Sequence, residues 1–180
     1  MTGAGARPID DLGTVEKVAD TYHVRYERHL AHPVDTVFAA VTEPDELAAW
    51  LARATLDPVV GGSVELRWQN AEGGSQEPPV ARGTVTAYDP PRLVEYDTDI
   101  HGRLRFELTP EGDGTRLVFT VAIAMPAEHA SKNVAGWHVH LEHLEAVLDG
   151  GSIDWPGWYR VHFPRWQEIH EVYLARGLPR

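Results

Sequence analysis

The sequence predicts an α+β fold in which a curved antiparallel sheet wraps around one long C-terminal helix, and three observations carry that prediction. Short segments of alternating apolar and polar residues follow one another from Thr14 to Ile123, joined by turns too short for a crossover. The segment Ala127 to Gly150 then places Ala130, Val134, Trp137, Leu141, Leu144 and Leu148 on one helical stripe of about six turns. Two short helical segments lie between the first strand and the remaining strands. A helix this long, arriving after a run of strands, needs a wide surface to lie on. A cavity is expected between the two layers.

The elements are read in order as follows. Residues 1–13, rich in Gly, Ala and Asp, read as a loose lead. A strand begins at Thr14, with Tyr22, Val24 and Tyr26 alternating against His23, Arg25 and Glu27. Pro33 opens a short helix carrying Val34, Val37, Phe38 and Val41, and Thr42 is expected to cap a second one bearing Leu47, Trp50 and Leu51. Leu56 to Val60 reads as a strand and Gly61-Gly62 as a tight hairpin turn into Val64, Leu66 and Trp68. Ala71 to Pro79 reads as a polar loop, followed by a strand over Val80 to Ala87 and a turn at Asp89-Pro90-Pro91. Leu93 to Thr98, Leu104 to Leu108 and Leu117 to Ile123 complete a six-stranded meander. The domain is therefore placed at 14–151. Residues 152–180 form a more aromatic helical tail, interrupted at Pro164, expected to pack on the domain or on a second copy or protein partner.

Composition narrows the function. The net charge of −11 and the scattered basic residues argue against nucleic-acid binding and against an anionic membrane surface. No cysteine is present, so disulfides and thiolate chemistry are excluded. No run of about 18 apolar residues exists, so neither membrane insertion nor a secretory leader is expected, and a cytoplasmic location follows as the expectation.

Catalytic constellations are weak. His138, His140 and His143 superficially suggest a metal cluster, but His138 points away from the other two on the wheel, and a zinc site needs three or four ligands. They are read as solvated helix flank, with His138 and Glu142 an i,i+4 pair, and no metal or cofactor is expected. Neither a Gly-x-Ser-x-Gly elbow nor a phosphate loop occurs, and Arg103, Arg105, Glu65 and Glu107 alternate onto the solvent face. No catalytic residue is assigned. The residues expected to line the cavity are Trp50, Leu66, Trp68, Tyr96, Phe106, Phe119, Trp137 and Leu141. Trp137 suits either core filling or cavity lining, where its N–H would fix one polar atom.

A set of motifs carries a family resemblance. Glu27 to Val34 followed by Val37-Phe38, Val41-Thr42-Glu43-Pro44 with Leu47 and Trp50, Val60-Gly61-Gly62, Gly83-Thr84-Val85 with Tyr88 to Pro91, and Gly136-Trp137 with Leu141 and Leu144 recur in this order. Between Thr14 and Gly150 the chain resembles the helix-grip fold of START-like, Bet v-type proteins (the SRPBCC superfamily). Within them it is most similar to the branch related to the C-terminal domain of the activator of the ninety-kilodalton heat-shock-protein ATPase. The resemblance implies a soluble protein holding a small hydrophobic molecule, lipid-like, polyketide-like or aromatic, between sheet and helix. It also leaves two rivals open: a chaperone-regulating or other protein-interaction module, and a cyclase or aromatase acting on a polyketide-like substrate.

Overall fold

A computed structural model describes residues 8–70 and 79–179. The strands are β1 (Thr14–Val18), β2 (Thr21–Leu30), β3 (Ala52–Leu56), β4 (Ser63–Trp68), β5 (Val80–Asp89), β6 (Leu93–Thr98), β7 (Gly102–Glu111) and β8 (Gly114–Ala124). Between β2 and β3 stand α1 (Val34–Thr42) and α2 (Pro44–Trp50); after β8 come α3 (Ala127–Leu148), α4 (Trp158–Val161) and α5 (Phe163–Ala175). The eight strands form one antiparallel sheet in the order β1-β2-β8-β7-β6-β5-β4-β3. Strands β3 to β8 are each beside their sequence neighbour, as turns too short for crossovers require.

One sheet face is dry. Along β8 every second residue is buried, from Thr115 through Leu117, Phe119 and Val121 to Ile123, and β7 buries Leu104, Phe106 and Leu108 in register with them. α3 lies across this face with Val134, Trp137, Leu141 and Leu144 buried. Tyr26 of β2 fixes the crossing, its hydroxyl donating to the Val134 carbonyl at 2.6 Å. Burial of this continuous apolar layer supplies the main stabilisation of the fold. The helix-on-sheet α+β architecture expected from the sequence is the one observed.

Several local expectations are corrected. The first strand is a hairpin, β1 folding back on β2 at Ala19, whose φ of 52° supplies a turn without glycine. The strand expected over Leu56 to Val60 lies earlier, at Ala52–Leu56, because Pro58 has no N–H to offer a ladder. Residues 57–62 form a tight loop instead. A Cβ at Gly62 would collide with the Asp57 carbonyl oxygen, and the loop docks on β5 through Gly61 N–H to Val85 O and Val85 N–H to Gly62 O, both 2.8 Å. Thr42 does not cap α2. It ends α1, its hydroxyl donating back to the Phe38 carbonyl at 2.7 Å, and Glu43 occupies the capping position. Pro164 sits in the first turn of α5 rather than interrupting it, where its missing donor costs nothing.

The largest correction concerns α3. It is buried on both faces, and His138, His140 and His143, expected as solvated flank, are all core residues. The tail covers them: Trp158, Ile169 and Tyr173 are buried within the same chain, α5 packing along α3. Residues 8–13 are fastened there too, Gly13 N–H donating to the Tyr173 hydroxyl at 2.8 Å, and Arg28 and Arg165 donating to the Asp11 and Pro8 carbonyls. The lead before residue 8 and the loop expected over Ala71 to Pro79, apart from Pro79, lie outside the described residues.

Candidate functional site

The eight residues expected to line a cavity fall into one continuous buried cluster, and their polar tips separate them into two groups. Trp50 Nε1 donates to the Ala40 carbonyl and the Tyr96 hydroxyl to the Val41 carbonyl, each at 2.7 Å. Both side chains thereby tie the sheet and α2 to the C-terminal part of α1. Phe106 and Phe119 stack at 4.5 Å between the two groups, and Leu66 and Leu141 fill the layer around them.

At the other end Trp68 and Trp137 meet two histidines. Trp68 ends β4, and its ring lies 4.7 Å from His101, 5.8 Å from Trp137 and 5.2 Å from His140. His101 is delivered by the β6–β7 turn. The Thr98 hydroxyl there donates to the Gly102 carbonyl and accepts from the His101 N–H, and Gly102 adopts a φ of 66° at a position where a Cβ would collide with the Ala122 carbonyl oxygen. His140 is fixed from α2: its Nδ1 lies 3.2 Å from the Trp50 carbonyl, which can only accept, so Nδ1 carries the proton and Nε2 the lone pair of the neutral ring.

Two nitrogens in this cluster are themselves fully buried and have nothing to bond. Trp68 Nε1 and His101 Nε2 are both buried without a hydrogen-bond partner; among the described residues the one further atom in this condition is Asn133 Oδ1, one helical turn before Trp137. An unsatisfied buried donor costs about 1–3 kcal/mol, so such atoms mark places where a ligand or an ordered water gains most. Burial also holds the imidazoles neutral. His101 and His140 are pushed down to about 4 and His143 to about 2, in each case chiefly by desolvation, with His140 reinforcing the shift at His143.

Trp68 also forms a wall of a surface cavity of about 440 Å³, with Arg53, Arg67, Gln69, Trp155 and Pro156 around it. His101 escaped the sequence reading because it stands in a turn, and His140 because the wheel assumed one buried face. The apolar residues Ala135 and Val139 on the far side of α3, together with an aromatic tail in need of a surface, were the available signal.

On the tail side of α3 lies a second polar group. His138 Nδ1 stands 2.9 Å from the Tyr173 hydroxyl, and its Nε2 is 3.8 Å from Glu142. Arg28, nearly inaccessible, pairs with Glu145 at 2.9 Å. Arg28, His138, Glu142 and Glu145, with Pro8, Asp10 and Asp11, line a space of about 100 Å³ outside the sheet–helix layer. Among the described residues no group of three or more His, Cys, Asp or Glu is arranged to hold a metal ion, and no helix is long and apolar enough to cross a membrane.

Comparison with known proteins agrees with this fold. No curated protein matches the chain. The solved structures similar to it include a Bordetella parapertussis protein determined in solution, at 26% identity and a TM-score of 0.69, with 96% of each chain covered. CalU16 from Micromonospora echinospora, as a crystal structure, is similar at 21% identity and a TM-score of 0.66, covering 91% of this chain and 94% of that one. A conserved Enterococcus faecalis protein of unknown function has the same identity and TM-score, covering 91% and 89%. The family described as Activator of Hsp90 ATPase homolog 1-like protein matches over residues 31–149, from the turn before α1 to the end of α3, and the chain belongs to that family.

Proposed function

We propose that this protein binds a small, largely apolar, uncharged molecule between the sheet and α3, with Trp68 and His101 receiving its polar end. The observation that carries this reading is the pair of buried, partnerless nitrogens at Trp68 Nε1 and His101 Nε2, in a layer where Trp50, Tyr96 and Tyr26 all bond to backbone carbonyls. The indole N–H asks for an acceptor such as a carbonyl or hydroxyl oxygen. His101, held neutral, can take or give one hydrogen bond but offers no charge to a carboxylate or an ammonium. Trp137, Phe119 and Phe106 supply flat apolar surface, and Trp50, Leu66, Tyr96 and Leu141 close the layer behind them. The cavity beside Trp68 is the approach.

The test is a titration of tryptophan fluorescence with 1-tetralone, a neutral bicyclic aromatic ketone that accepts but cannot donate a hydrogen bond. The reading expects saturable 1:1 binding, weakened about tenfold in Trp68→Phe, which keeps an aromatic ring and removes the N–H. Equal affinity in the variant, or no saturable binding in the parent, would overturn it.

A further inference from the structure

A separate groove runs along the opposite face of α3, against the C-terminal tail. It holds about 260 Å³, and its walls are Trp158, Tyr159, Phe163 and Trp166. Its floor is α3 itself at Gly136 and His140, residues one helical turn apart. Gly136 stands in the middle of a 22-residue helix, where glycine weakens the helix relative to alanine. Packing does not demand it: a Cβ there would approach nothing more closely than Trp166 Nε1, at 4.0 Å. The missing side chain leaves open space between aromatic walls.

The floor also carries directional chemistry. His140 spends its Nδ1 proton on the Trp50 carbonyl, and no hydrogen bond among the described residues reaches its Nε2, which holds the lone pair. The ring is buried and stays neutral well below pH 7, so it offers an acceptor and no charge. Phe163 and Trp166 are stacked 5.3 Å apart with planes 10° from parallel, and Trp158 is held by its own bond to His143 Nε2 at 3.0 Å. The remaining lining residue, Asn70, is uncharged. Flat aromatic walls, a neutral acceptor at His140 Nε2, the uncharged polar groups of Asn70, Tyr159 and Trp166, and no ion define a complementary occupant: a planar aromatic ring bearing one O–H or N–H.

We infer that the groove between α3 and the C-terminal tail is a second ligand site, taking a small planar aromatic molecule of the phenol or indole class whose donor group bonds to His140 Nε2 while its ring packs over Gly136 between Trp158 and Trp166. It borders the site under the sheet through His140, whose ring lies 5.2 Å from Trp68, and differs from it in chemistry. The first asks for an acceptor and this one for a donor.

Isothermal titration of the full chain at pH 7.5 with 2-naphthol and with 2-methoxynaphthalene, which has the same rings and no donor, tests it. 2-Naphthol is expected to bind at least about tenfold more tightly. Gly136→Leu, which fills the groove and removes a helix-weakening glycine, is expected to abolish 2-naphthol binding while the thermal midpoint holds or rises, with 1-tetralone binding unchanged. Should Gly136→Leu fail to fold, Tyr159→Ala at the exposed wall is expected to weaken 2-naphthol about threefold to tenfold. Equal affinity for both naphthalenes, wild-type binding in a folded Gly136→Leu protein, an unaffected Tyr159→Ala protein, or no binding of 2-naphthol would each overturn the inference. So would a concentration-dependent dimer abolished by Gly136→Leu, because a second copy would then be the occupant.

Discussion

Trp158 Nε1 donates a 3.0 Å hydrogen bond to His143 Nε2, and the bond ties the first turn of the tail to the last turns of the long helix. His143 can accept it only while neutral. Its ring also lies 4.7 Å from His162 and 5.6 Å from His140, so a proton there would break the bond and repel both neighbours.

Acid lability follows from the depressed histidines. His101, His140 and His143 sit well below their ordinary value near 6.5, and His162 is lowered as well, through burial. Above pH 6.5 these rings are neutral in both folded and unfolded chains and stability is at its full value. As pH falls through 6.5 toward about 4, the unfolded chain takes up protons that the folded one refuses, costing up to about 1.4 kcal/mol per pH unit for each ring. His29 works in the opposite direction, raised by Glu111, but it is exposed and weak. Urea unfolding at pH 7.5, 6.0 and 5.0 is expected to show a steep loss across that window. A flat profile would contradict the buried-imidazole cluster.

The tail is a brace. Truncation after Gly151 removes Trp158, Ile169 and Tyr173 from the buried layer and uncovers His138 and His143. At about 1.5–3 kcal/mol for each large side chain, about 5 kcal/mol or more of stability should go, seen as a large fall in the thermal midpoint. Unchanged stability with loss of a dimer would instead make the tail an interface.

Two hydrogen-bonding aromatics separate by their partners. Tyr96→Phe leaves the buried Val41 carbonyl without its donor and should cost about 1–3 kcal/mol. Trp68→Phe deletes an N–H that has no partner, so it should cost far less for the same class of change. Chemical denaturation of both variants checks the contrast.

Trp137→Ala is expected to cost about 3–5 kcal/mol, since the ring is buried against Trp68, His101 and Phe119. A loss below about 1 kcal/mol would mean the ring borders empty space rather than packed side chains.

What the sequence disclosed was whatever its local periodicity encodes. Leu104, Phe106 and Leu108 alternate, and all three are buried; Val134, Trp137, Leu141 and Leu144 share a stripe, and all four are buried. His138 and His143 were misread because their burial depends on Tyr173 and Trp158, some 35 and 15 residues further along, and a helical wheel holds no information about a second layer. The turn at Ala19-Asp20 was missed for a local reason, since Asp20 is a single turn residue and its neighbour with positive φ is an alanine rather than a glycine or asparagine. His101 enters the site only because the Gly102 turn folds it under Trp68, a consequence of hairpin geometry that no composition rule expresses.

The Trp68 indole N–H is buried and unbonded, and a ligand's acceptor is expected to fill its place. The most direct measurement is the ¹H–¹⁵N spectrum of the six tryptophan side chains, with the Trp68 signal assigned through its loss in Trp68→Phe, during titration with 1-tetralone. The account predicts that the Trp68 signal moves downfield and saturates, while that of Trp50, already bonded to Ala40, stays in place. A Trp68 signal that does not move at saturating ketone would contradict it.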